Sequence, residues 1–120
     1  SGSVTTGFIP FVGGDSCVIR LKGVRWLNTS QDGYGHYYLN LYDKNKNFLG
    51  YLSAGEYPQN THIVTVTRDA NGVESVVWNK TYGSSNFLLT NVRENAAFFR
   101  INAYGKGADM IVTINEEITR

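Results

Sequence analysis

The residues of this chain best suited to chemistry are aromatic and polar side chains gathered around two loops. Trp26 leads into segment 28–35 (NTSQDGYG), which carries Gln31, Asp32 and Tyr34 and is followed by His36. Tyr57 stands in segment 53–60 (SAGEYPQN), beside Glu56 and Gln59. Tyr38 shares a strand face with Asn40 and Tyr42, opposite an apolar face that holds Leu39. Trp78 closes a later strand next to Asn79 and Lys80, with Tyr82 beyond. A sugar ring offers a flat apolar C–H face and a rim of hydroxyls. A protein grips it with a ring to stack on and short polar groups to hydrogen-bond the rim. Tyr34 and Tyr57, flanked by Gly and Asn in loops, read as exposed. Trp26 and Trp78 suit a sandwich core at least as well as a ligand.

Other chemistries find less support. Nucleophilic catalysis needs a nucleophile, a base and an orienting group within reach of one another. His36 and His62 are the only histidines, and Cys17 falls on the apolar side of a strand pattern, where it reads as a core residue. Glycoside hydrolysis needs two carboxylates across a cleft. Asp32, Glu56, Asp69, Glu94 and Asp109 lie in turns or near strand ends, Glu74 lies within a strand, and no spacing singles out a pair. The expectation is a binding domain and not an enzyme. Asp43, Asn45 and Asn47 match the first oxygen positions of a calcium loop. Phe48, however, stands where that loop needs glycine, and Ala54 where it needs a bidentate Glu. A hairpin turn held by its own Asp and Asn side chains is the simpler reading. No cofactor is expected; a structural calcium elsewhere is left open.

The elements that must position these groups are strands. The chain has 120 residues, 42% hydrophobic and 18% charged, with 13 glycines and 8 tyrosines. No window supplies Ala, Leu, Glu and Lys at helical spacing. Short β-rich runs punctuated by Gly, Asn and Asp argue for an all-β domain over 4–120, large enough for one core. Runs at 4–12, 17–27, 36–42, 48–52, 63–67, 73–78, 98–104 and 110–114 give about eight strands, the range of a two-sheet sandwich. Pro10 favours an edge position for the first. Gly23 marks a bend after which Val24 and Trp26 take a new phase. Asp69 to Gly72 forms a turn, and segment 79–95 is left open between strand and helical turn. The run FFRINAYGKGADMIVTIN over 98–115 reads as a hairpin about its glycines. Its last strand is apolar on both faces, so it is expected at the centre of a sheet. Ile101, Val112 and Leu39 are expected in the core.

The net charge of +1 provides no bulk field for nucleic acid, and no apolar run is long enough to span a bilayer. The single cysteine excludes an internal disulfide and leaves the compartment open. Ser1-Gly2-Ser3 reads as a cloning scar, and the domain as one cut from a longer protein.

Several stretches together resemble a module of tail and baseplate proteins of tailed bacteriophages. They are Thr6-Gly7-Phe8-Ile9-Pro10, Gly14-Asp15, the run from Ile19 to Val24, the run from Tyr42 to Phe48, the run from Phe99 to Gly105, and that from Ile111 to Glu116. They cover most of the chain, but each is a strand-and-turn pattern and none is a catalytic signature. The resemblance implies an antiparallel jelly-roll β-sandwich similar to carbohydrate-binding modules, carried on the virion outside the cell and gripping host cell-wall or surface polysaccharide. It implies contacts with other virion subunits through the parent chain, while the charge and hydropathy given above lead to the expectation of no nucleic-acid partner and no membrane insertion. Two alternatives remain on the sequence: a structural or protein-interaction module of the same assembly, and the binding module of a secreted polysaccharide-degrading enzyme.

Overall fold

Alternation of apolar and polar residues along each strand builds two sheets that share one core. The computed structural model describes residues 3–12, 17–26, 35–52, 64–78, 94–104 and 109–119. Its strands are β1 (Ser3–Thr5), β2 (Ile9–Pro10), β3 (Cys17–Lys22), β4 (Val24–Arg25), β5 (Gly35–Tyr42), β6 (Phe48–Leu52), β7 (Val64–Arg68), β8 (Val73–Trp78), β9 (Phe98–Tyr104) and β10 (Ile111–Ile114). One sheet is six-stranded, with β9 and β5 at its centre; β1 and β2 both pair with β9, and β4 and β6 both pair with β5. The other is four-stranded in the order β10-β3-β8-β7. The pairs are antiparallel except β4 with β5. The last two strands close on the first, β9 on β1 and β2 in one sheet and β10 on β3 in the other. The fold is the expected all-β sandwich.

The inward rows supply the core. Tyr37, Leu39 and Leu41 of β5 meet Phe99, Ile101 and Ala103 of β9, all at most 1% exposed. Cys17, Ile19 and Leu21 of β3 pair with Trp78, Val76 and Glu74 of β8. Burial raises the Cys17 thiol pKa above its ordinary value, as expected of a thiol enclosed by apolar neighbours. Trp26 and Trp78 are both 0% exposed. Trp26 packs edge-on against Tyr37 at 5.2 Å, and Phe11 packs edge-on against Trp78 at 4.8 Å.

One charged group crosses the core. Glu74 is 1% exposed and stands on the inward row of β8 opposite Arg68 of β7. Its Oε2 accepts from Arg68 Nε at 3.1 Å and also from Nη2, while Oε1 accepts the Trp26 backbone N–H at 2.7 Å. The second bond reaches from the four-stranded layer to the chain just after β4 in the other layer. Burial, and next the Glu74 charge, hold the Tyr37 hydroxyl pKa well above its ordinary value, against an opposing pull from Arg68. Buried carboxylates persist when paired and hydrogen-bonded, which this one is.

Gly23 is the corner at which the chain leaves β3 in one sheet and enters β4 in the other. Its φ is +95°, and a Cβ there would lie 2.8 Å from the Asp109 carbonyl oxygen. The bend and change of phase expected at this glycine are present.

The strand arrangement departs from the sequence reading in several places. The run 98–115 is not a hairpin: β9 and β10 belong to different sheets. β10 lies at a sheet edge, not the centre, and Val112 is half-buried while Ile101 and Leu39 are fully buried. β-branched residues suit an edge strand's half-covered outer face as well as a buried one, so composition alone did not separate the two. The run 4–12 is broken into β1 and β2, because Thr6 folds in to bond β9: its N–H donates to the Ile101 carbonyl, and its hydroxyl accepts the Ile101 N–H. Segment 79–95 lies outside the described residues up to 93; Glu94 and Asn95 are helical. Among the described residues no helix is long and apolar enough to cross a membrane.

Candidate functional site

The outward rows of β5, β6 and β9 make the candidate site. Strand pairing sets Asn40 level with Tyr51 on one side and with Arg100 on the other, and sets Tyr38 level with Asn102. Two rows of side chains therefore run across the open face, Tyr51–Asn40–Arg100 and Tyr38–Asn102–Thr5. Each begins with an aromatic ring and passes through a carboxamide. Tyr51 is 48% exposed, and its ring lies 5.8 Å from that of Tyr38, tilted by 44°. His36 continues the row along β5, 6.2 Å from Tyr38. The Thr5 hydroxyl donates to Asn102 Oδ1 at 3.1 Å and fixes that amide.

A third, more apolar row borders these. The break between β1 and β2 carries Phe8 onto this face, edge-on to Tyr42 at 4.8 Å and to Phe98 at 6.2 Å. Phe48 packs edge-on against Tyr42 and is 57% exposed. Lys46 Nζ stands 5.3 Å from the Phe8 ring centre, and Arg100 Cζ stands 4.9 Å from it. Arg100 Nε donates to the Thr6 carbonyl at 2.9 Å, so its guanidinium is held in place from two sides. The arrangement offers rings for stacking, fixed amides and a fixed cation, on rigid strands.

The hairpin turn at this end is self-contained. Asp43 Oδ1 accepts the N–H groups of Asn45 and Asn47, both at 2.9 Å, and Lys46 takes the left-handed conformation at φ 66°. The Asn47 N–H first, with Asn45 and the Asn47 side chain, lowers the Asp43 carboxyl pKa below its ordinary value. The Asp43 oxygens are engaged by the N–H groups of the turn itself, as the hairpin-turn reading expected. Among the described residues no three His, Cys, Asp or Glu cluster closely enough to hold a metal.

Of the site residues expected from sequence, Tyr38 and His36 lie on this face, and the polar-aromatic row of Tyr38, Asn40 and Tyr42 is present. Trp26 and Trp78 are corrected: both are sealed in the core and expose no ring face for stacking. Gln31, Asp32, Tyr34, Glu56, Tyr57 and Gln59 lie outside the described residues. Tyr51, Asn102 and Arg100 were not foreseen. Their outward phase was readable from alternation, but the pairing of β9 with β5 that brings them to Tyr38 was not. No family model, curated protein or solved structure matches the chain.

Proposed function

We propose that this domain binds carbohydrate without catalysis, as an accessory adhesion domain of a phage tail or baseplate protein that grips host cell-wall or surface glycan. The observation that carries the binding part is the exposed Tyr51 ring tilted against Tyr38, beside Asn40 and Asn102 on the open sheet face. A pyranose laid on the tyrosines brings its hydroxyl rim over the two amides, each of which can both donate and accept. The assignment to a virion rests on the resemblance of the strand-and-turn stretches. One site of this size binds weakly, and several copies on one particle would supply avidity. A screen of the domain against purified cell-wall polysaccharides tests the proposal: retention is expected, with no release of reducing ends, and hydrolysis by the pure domain would contradict it.

A second reading has its own observation. Phe48 and Phe8 are exposed large apolar residues that both pack against Tyr42, Phe48 at 57%. Apolar exposure of this kind suits contact with a neighbouring subunit of the same assembly. If no glycan is retained and the domain instead binds its parent assembly, with Phe48→Ser abolishing that binding, the interaction-module reading takes its place.

A further inference from the structure

We infer that the polysaccharide taken by the open face is acidic, with Arg100 holding the carboxylate or phosphodiester of one of its units; this rests on the sugar-binding reading above. The chain is nearly balanced, with 11 Lys and Arg against 10 Asp and Glu. The face is not. Among the described residues no Asp or Glu stands on the outward rows of β4, β5, β6 or β9, while Arg100 stands on that of β9 beside Asn40. Asp43, which directly follows β5, holds its carboxylate inside the turn against the Asn45 and Asn47 N–H groups.

Arg100 is the cation built into the site. Its Nε is engaged by the Thr6 carbonyl and its plane lies over Phe8, so the side chain is oriented before any ligand arrives. Among the described residues it has no carboxylate partner, and its two Nη groups carry the paired donors that match a carboxylate or phosphate. Asn40 separates it from Tyr51 in the same row. Two strand spacings, about 10 Å, divide the stacking ring from the cation. A sugar on Tyr51 therefore cannot itself carry the anion to Arg100; the adjoining unit of a chain laid across the strands does so.

The test titrates the whole domain with polygalacturonate, with a polysaccharide whose pyranose units are joined by phosphodiesters, and with a neutral β-glucan. One acidic polymer is expected to bind at least about tenfold more tightly than the neutral one. Its binding should weaken on raising salt from about 0.05 to about 0.5 M. The carboxylate and phosphate arms identify which anion is taken. Arg100→Gln should remove the preference for charge, Arg100→Lys should restore part of it, and Tyr51→Ala should weaken every polymer that binds. Should Arg100→Gln not fold, Arg100→Lys and the wild-type salt dependence decide. Equal binding of neutral and acidic polymers, unchanged in Arg100→Gln, overturns the acidic preference and leaves sugar binding standing. Oligothymidylate bound as tightly as either acidic polymer overturns it in favour of a general polyanion surface. No binding to any polysaccharide overturns both.

Discussion

Glu74 is the side chain on which the joining of the layers can be tested most simply. It holds Arg68 within its own sheet and the Trp26 N–H across the core. Removing one partner of a fully buried pair costs roughly 3–5 kcal/mol. Here the Arg68 side chain is 33% exposed and can turn to water, so Glu74→Gln should cost less, about 2 kcal/mol in denaturant unfolding. Tyr37 adds a pH signature. Its hydroxyl pKa in the folded state is raised above the ordinary 10.0 by burial and then by Glu74. The folded protein therefore holds that proton more tightly than the unfolded chain. The stability this represents is complete below pH 10 and is lost as pH rises toward the folded value. Thermal unfolding across the alkaline range should show Tyr37→Phe losing less stability above about pH 10 than the wild type. Parallel curves would mean that Tyr37 does not titrate with unfolding.

At the scale of elements, two turns share one construction. Asp69 Oδ1 accepts the Asn71 and Val73 N–H groups as Asp43 Oδ1 accepts those of Asn45 and Asn47. The left-handed position is Gly72 in one turn and Lys46 in the other. A non-glycine residue there costs about 1–2 kcal/mol, and the Lys46 cation over Phe8 and Phe98 returns about 0.5–1 kcal/mol. Gly72→Ala should therefore destabilise by about 1 kcal/mol, Lys46→Gly should be near neutral, and Lys46→Ala should cost the lost cation contact. Chemical denaturation of the three variants checks the order. Gly23→Ala should be the most damaging substitution of all, because positive φ and a backbone clash with Asp109 coincide there. These features were legible because turn chemistry is local: Asp43, Asp69 and Gly23 announce themselves within five residues. The partner of β9 was not, because alternation fixes which way Arg100 and Ile101 face and says nothing of which strand lies alongside.

Across the whole molecule, the sandwich and its core rows were readable from period and punctuation, and the site only in half. Tyr38 and Asn40 could be placed on an outward face from β5 alone. Tyr51, Asn102 and Arg100 join them only through pairings between residues as far apart in the chain as 38 and 102. The tryptophans misled because a large ring serves a core and a sugar equally well, and only depth separates the roles. The central claim is that the open face of the six-stranded sheet is a sugar platform. Its most direct measurement is a binding titration of purified cell-wall polysaccharide against the wild type and the Tyr38→Ala, Tyr51→Ala double variant, with thermal unfolding recorded in parallel. Each stacked ring is worth about 1–3 kcal/mol on the scale of base–aromatic stacking, so affinity should fall at least about tenfold while the fold persists. A double variant that stays folded and binds the polysaccharide as tightly as the wild type would contradict the account.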